Sequence, residues 1–329
     1  MDIPDKHFNF GSMVEEGGNW IAESSVPVKR NGPIVLFGEI LADIFPDRTV
    51  LGGAPFNVAR HLKAFGQAPV LITRLGNDAL RDEVVGALQR NDMETVGIQR
   101  DKSHPTGRVQ VRLDDKGHRF DILPQQAYDF IHPGVARITA LSVNPALVYF
   151  GTLAQRCDTS RRALKTLLRS SGAAKFLDIN LRPPWYSENT LCESLQHADI
   201  VKMNDEELDI VAGMFKLHGG EPQDRARELI ARFGLEQVLV TCGSAGAWQI
   251  NRNGKVFKTG AADTSVTVVD TVGAGDGFSA VFILGALRKW PMARTLERAN
   301  AFASALCGIR GAIPGNADFY APFVAEWGI

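Results

Sequence analysis

Cysteine is scarce: only Cys157, Cys192, Cys242 and Cys307 occur in 329 residues, and no two of them form a CxxC pair. Such scattered thiols exclude a disulfide framework and a zinc ribbon, and they suit a reducing cytoplasm. No apolar run approaches the roughly 18 to 20 residues that cross a bilayer, so no membrane partner is expected. The seven histidines show neither HExxH nor HxxxH spacing, and GxSxG is missing, which removes the zinc-protease and serine-hydrolase readings. GxxxxGK[ST] is also missing, and the glycines at 273, 275 and 277 do not form GxGxxG. An excess of charge of either sign is lacking as well: 36 basic against 37 acidic residues leave a formal net charge of -1. No global field then draws nucleic acid, and a small molecule is the expected partner. Residues 1–31 carry Asp2, Asp5, Glu15 and Glu16 without a continuous apolar stretch, which reads as a polar N-terminal extension rather than a signal or transit segment. Within it, Trp20 and Ile21 are candidates for packing on the body or on a second subunit.

What is present is a chain 45% hydrophobic and 22% charged, enough for a large core. Short apolar runs alternate with longer helical stretches, the rhythm of an α/β protein with a mainly parallel sheet. The strands expected are Ile34 to Phe37, Val70 to Thr73, Leu147 to Phe150, Lys175 to Ile179, Ile200 to Met203 and Gln237 to Thr241. The helices expected are Ala54 to Ala64, Asp78 to Asn91, Ser160 to Ser170, Asp224 to Phe233 and Leu296 to Cys307. Two stretches break the rhythm. Residues 42–51, and residues 107–123 with an alternating GRVQVRLDDKGHRFDIL around an Asp-Asp-Lys-Gly turn, predict a small β lid over the ligand crevice. That crevice lies beyond the carboxyl ends of the parallel strands.

The segment DTVGAGDGFSA at 270–280 concentrates the chemistry. A β-branched run from Thr264 to Val269 precedes it and an apolar stretch from Phe278 to Leu287 follows, predicting strand, glycine turn and buried helix. At such a helix start, unpaired N–H groups and the positive end of the dipole attract phosphoryl oxygens. Asp276 at this turn is either a helix cap or the acceptor of the proton of an attacking hydroxyl. In LGGAPFNVARHLKAFG at 51–66, Gly52 and Gly53 allow close approach of a ligand to the backbone. Asn57 offers a donor and acceptors suited to sugar hydroxyls, and Asp43 adds two acceptor oxygens; a glycine-rich turn with an amide cap accounts for the same residues.

GGAPFNVA, GNDA at 76–79, NDEE at 204–207 and DTVGAGDGFSA, in that order, resemble the PfkB (ribokinase-like) family of carbohydrate kinases from about Ile34 onward. Gly-Gly-Ala-Pro before the asparagine and DINLRPPWY at 178–186 are most similar to fructokinases. The resemblance implies a ribokinase-like three-layer α/β/α sandwich over 32–329, with a mainly parallel central sheet and the β lid. It also implies ATP as donor, Mg²⁺, and γ-phosphoryl transfer to a primary hydroxyl of a sugar, fructose first. The alternatives are 2-keto-3-deoxygluconate, ribose or another furanose and, from a different class, a catalytically silent binding subunit. By the same resemblance Asp276 is the base and Gly273, Ala274 and Gly275 form the anion hole. Asp43, Gly52, Gly53, Asn57, Asn180 and Arg182 face the sugar; Asn204, Thr241, Gly243, Gly246, Asn300 and Gly311 enclose the nucleotide. Asn204 and Glu207 hold Mg²⁺ through water, Asp270 is offered for K⁺, and a homodimer through the lid strands is implied. Arg81 departs from the pattern, standing where many relatives have glycine in GxDxxG, which puts that turn in doubt.

Overall fold

The computed structural model describes Val28 and residues 32–114, 117–261 and 266–329. Trp20, Ile21, Thr264 and two residues of the Asp-Asp-Lys-Gly turn, Asp115 and Lys116, lie outside the described residues. Along the chain the strands are β1 (Ile34–Phe37), β2 (Leu41–Ile44), β3 (Thr49–Gly52), β4 (Pro69–Leu75), β5 (Ile98–Arg100), β6 (Gly107–Asp114), β7 (Gly117–Ile122), β8 (Leu147–Phe150), β9 (Ala174–Asp178), β10 (Ile200–Asn204), β11 (Gln237–Thr241), β12 (Ala247–Asn251) and β13 (Val256–Lys258). The helices are α1 (Ala54–Ala64), α2 (Ala79–Arg90), α3 (Pro133–Val143), α4 (Asp158–Ser170), α5 (Glu188–His197), α6 (Asp205–Phe215), α7 (Pro222–Phe233), α8 (Ala274–Leu287), α9 (Met292–Cys307) and α10 (Ala321–Trp327).

Among the described residues, nine strands form the central sheet in the order β13-β12-β11-β10-β9-β8-β1-β4-β5, parallel from β5 to β11, with β12 and β13 added antiparallel. Inner strands such as β1 are buried along their whole length, which is why they are written as unbroken apolar runs. Successive residues still divide between two faces. Ile34 and Leu36 join a core beneath α1, α8 and α9, whereas Val35 and Phe37 join the core beneath α3 to α7. The result is the expected three-layer α/β/α sandwich.

The second sheet, β3-β2-β6-β7, is the expected lid. β2 begins after only three residues from the end of β1, and β6 pairs with it in parallel. Asp78 ties this lid to the body. Its carboxylate accepts from the Thr106 N–H at 2.9 Å, the Thr106 hydroxyl at 2.7 Å and the Arg81 N–H at 3.0 Å, and it pairs with Arg108 at 3.2 Å. Arg81 therefore needs no glycine conformation: it stands in the first turn of α2 and its amide serves the cap.

The strand expected before the glycine turn is absent from the described part of that segment. The amides of Val269 and Asp270 both donate to the Cys307 carbonyl at the end of α9, and Val268 is 65% exposed. The end of α9 thus takes the backbone donors that a strand would give to a sheet, and Thr267, Val268 and Val269 are exposed. The helix that follows is as expected. Every residue of α8 from Gly277 to Leu287 is buried, so it shows no amphipathic period.

Candidate active site

Five elements, drawn from three widely separated stretches of sequence, meet at the carboxyl ends of the strands. The exit of β1 supplies Glu39, the lid strand β2 supplies Asp43, the exit of β9 supplies Asn180 and Arg182, and α1 supplies Asn57 opposite Asp276 of α8. Asn57 Nδ2 donates to Asp276 Oδ2 at 2.8 Å across 219 residues of sequence. A carboxylate only accepts, so this bond fixes which way the amide points. Asn57 Oδ1 is then left buried without a partner, ready for a hydroxyl donor.

Asp276 is no ordinary aspartate. Burial pushes its pKa up to about 6, with the Asp178 charge adding to the rise, while the Asn57 hydrogen bond and the positive charges of Lys202 and Arg182 pull it down. A carboxyl held there is a far better base near neutrality than one at the usual 3.8. Asp43 is also raised to about 6 by burial, against the pull of Arg182. Glu39, which sequence reasoning missed, is only 5% exposed and is raised to about 7, mainly by burial and further by the Asp276 charge. The Ala54 amide at the start of α1 pulls the Glu39 pKa the other way. Gly53 sits there at φ 104°, where an added Cβ would lie 2.7 Å from the Glu39 carbonyl, so the close approach requires glycine. Gly52 is not so constrained, since an added Cβ would meet nothing nearer than 3.8 Å.

These raised carboxyls have a consequence for stability. A group whose folded pKa exceeds its unfolded one binds more protons when folded, so stability falls as pH rises between the two values. Thermal unfolding of the free protein is expected to show a melting temperature that declines from pH 5 to pH 7.5. In Glu39→Gln that decline should be shallower; an identical slope in the variant would show that Glu39 does not titrate in this range.

The glycine turn before α8 forms as expected. Gly273 caps α8 in the left-handed region at φ 82°, and its carbonyl accepts from Gly277 N–H at 2.9 Å. Gly275 and Asp276 lie in the first helical turn, where amides have no intrahelical acceptor, whereas the Ala274 N–H donates to the Thr271 carbonyl at 3.3 Å. Of the three residues predicted for the anion hole, Ala274 thus has its donor engaged within the protein.

Beneath this turn is a buried cluster that the sequence did not single out. Lys202 Nζ donates to both oxygens of Asp178 at 3.1 Å and to the Gly275 carbonyl at 3.2 Å. Asp178 also accepts from the Tyr149 hydroxyl at 3.1 Å and the Ser279 hydroxyl at 2.8 Å. The signal was an aspartate and a lysine inside two apolar strand runs, a costly placement unless the charges pair.

The remaining candidates fall into two groups. Asn204 and Glu207 form a capping box at the start of α6: Asn204 Oδ1 accepts from the Glu207 N–H at 2.7 Å and Glu207 Oε2 from the Asn204 N–H at 2.9 Å. Glu207 Oε1 accepts from Leu181 N–H at 2.6 Å, so each oxygen holds one backbone amide and keeps a further lone pair. Among the described residues no three His, Cys, Asp or Glu side chains converge to hold a metal. Asp270 bridges two loops, accepting from Val272 N–H at 3.0 Å and Gly311 N–H at 2.9 Å, and each oxygen keeps a further lone pair. Thr241 stands beside Asn204 in the parallel register of β10 and β11. Gly243 and Gly246 shape the turn from β11 to β12, where a Cβ on Gly246 would lie 2.1 Å from the Gly260 carbonyl. Asn300 is half-buried on α9.

A helix start with open amides beside a raised carboxylate, at the mouth of a parallel sheet under a β lid, has the parts a phosphotransferase needs. The family model described as pfkB family carbohydrate kinase matches residues 40–318, and the chain belongs to that family. It is a sugar kinase of the fructokinase-like kind. Fructokinase-2 of Zea mays is 26% identical over 313 residues, covering 86% of this chain and 91% of that protein. The crystal structure of a fructokinase with bound ATP from Xylella fastidiosa superposes with a TM-score of 0.77 at 20% identity, covering 91% of this chain and all of that one. A Vibrio cholerae fructokinase in a form holding fructose, ADP and potassium ion gives a TM-score of 0.71 at 23% identity, covering 88% and 98% of the two chains. No helix among the described residues is long and apolar enough to cross a membrane.

Proposed function

We propose that the protein transfers the γ-phosphoryl group of ATP to a primary hydroxyl of fructose, with Asp276 as general base. The observation that carries this reading is the 2.8 Å bond between Asn57 and Asp276, which puts a sugar-type amide and a raised carboxylate together at the open amides of α8. Asp43, Gly53, Asn57, Asn180 and Arg182 surround the sugar, and Asn57 Oδ1 takes one of its hydroxyl protons. Arg182 is exposed, lowers the pKa of Asp43 and Asp276, and is the cation available to the passing phosphoryl group. Mg²⁺ enters as part of the nucleotide substrate, while Glu207 holds Asn204 and the Leu181 amide beside it. Thr241, Gly243, Gly246, Asn300 and Gly311 enclose the nucleoside, and Asp270 with its spare lone pairs is suited to K⁺. A cytoplasmic setting agrees with four free cysteines, and the edge strands β3 and β7 of the lid are the surfaces through which a homodimer would pair.

In a loose phosphoryl transfer the proton leaves late, so positioning and charge neutralisation carry most of the acceleration. A panel of fructose, ribose and 2-keto-3-deoxygluconate with ATP and Mg²⁺ tests the substrate. Fructose is expected to give a kcat/KM at least about tenfold above the others, the discrimination that one buried hydroxyl contact allows. A higher value for the keto-deoxy acid would reassign Arg182 to a substrate carboxylate and end the fructose reading.

A further inference from the structure

We infer that Lys202 is a positioning residue for phosphoryl transfer, holding the anion-binding turn of α8 by its carbonyl side while Asp178 holds the lysine. The inference deepens the reading of residues 273–276 as the phosphoryl site and rests on it. The Lys202 ammonium has three acceptors, Asp178 Oδ1 and Oδ2 at 3.1 Å and Gly275 O at 3.2 Å. Ser279 braces the same two partners, donating to Asp178 Oδ2 at 2.8 Å with Gly275 O at 3.0 Å. Gly275 has an ordinary backbone conformation, yet a Cβ there would lie 3.0 Å from Lys202 Nζ. A side chain there would crowd the ammonium.

This placement has a chemical use. A helix start that must face phosphate with its N–H groups exposes them more faithfully if the first-turn carbonyl on the other side is fixed. A lysine drawing on that carbonyl also polarises the following peptide N–H, that of Asp276, in the direction a phosphoryl oxygen needs. Yet a bare lysine below the base would bind phosphate itself and collapse the site. Asp178 prevents this by pairing with it, at 1% exposure for its side chain and 8% for that of Lys202. A buried pair of this kind is weak evidence for stability, since apolar residues of like size often serve as well. Its place at the foot of the turn, bonded to the Gly275 carbonyl, points to geometry rather than to fold strength.

The test measures ATP and AMP binding by calorimetry, and kcat and KM with fructose, for wild type, Lys202→Met, Ser279→Ala and the charge-free pair Asp178→Asn with Lys202→Met. For Lys202→Met the expected result is a loss of about tenfold or more in ATP affinity, AMP affinity within twofold of wild type, and kcat lower by about 10². The KM for fructose should stay within threefold. Ser279→Ala should lower kcat about 3- to 10-fold with the same ATP selectivity, and it keeps the test alive if the lysine variant does not fold. The charge-free pair should melt no lower than Lys202→Met but should not regain wild-type kcat, because the Gly275 carbonyl remains unheld. Equal losses for ATP and AMP, a kcat within threefold of wild type in Lys202→Met, or full recovery in the charge-free pair would each overturn the inference. Wild type that binds ATP no better than AMP would instead overturn the phosphoryl-site reading beneath it.

Discussion

Replacing Asp276 by asparagine is expected to lower fructose-dependent ADP release by about 10² to 10⁴-fold, or roughly 3 to 5 kcal/mol of barrier. The substitution keeps size and shape, so Asn57 still has an oxygen within reach of its Nδ2, which now stands 2.8 Å from the Asp276 carboxylate. What disappears is the proton acceptor. Because burial already raises the aspartate to about 6, its ionised form is held at a cost, and the amide relieves that cost. The melting temperature at pH 8 should therefore equal or exceed that of the wild type while activity collapses. Equal rates for the two proteins would remove Asp276 from the reaction, and a fall in both rate and stability would recast it as a structural residue. The same acid sets the pH profile: kcat/KM of the wild type should fall as pH drops through about 6, not near the ordinary 3.8.

The second large effect is expected for Gly273→Ala. The residue caps α8 at φ 82°, a region an alanine enters at a cost of about 1 to 3 kcal/mol. The new Cβ would lie 2.3 Å from the Ala312 Cβ and 2.5 Å from its Cα, so backbone must move as well. Either the helix start or the turn around Gly311 gives way. That turn is bound to Asp270 through the Gly311 amide at 2.9 Å, so the displacement reaches both ends of the loop. A shift of about 1 Å at a phosphoryl site costs about 10² in rate. Urea unfolding together with steady-state kinetics checks both parts. A variant within threefold of wild-type kcat would show that the turn tolerates the side chain and that its geometry is not what matters.

Much of this was legible in the residues because the physics was local. β1, β8 and β11 begin and end at the residues read from the sequence, since strands buried on both faces are written as apolar runs with polar or glycine ends. The helix α1 was legible from its proline and its glycine entry, and Asp276 from a carboxylate placed where a helix binds anions. Long-range placement was not. Nothing in GEI at 38–40 says that Glu39 will be sealed beside Asp276, and nothing in VKMN says that Lys202 will reach Gly275, 73 residues on. The β-branched run before the glycine turn shows the reverse failure, a strand propensity overridden where the amides of Val269 and Asp270 bond to the end of α9. The antiparallel strands β12 and β13 escaped for a related reason: their short segments carry Gln249, Asn251 and Lys258 among the apolar residues.

The helix that bears Asp276 is enclosed in hydrocarbon from Gly277 to Leu287, wedged between α1 and α9, with glycine at 277 and 285 letting α9 come close. Such an element behaves as an anvil: it takes the load without yielding. Closure during turnover is then expected from the four-stranded lid, which Asp78 ties to the body, rather than from α8.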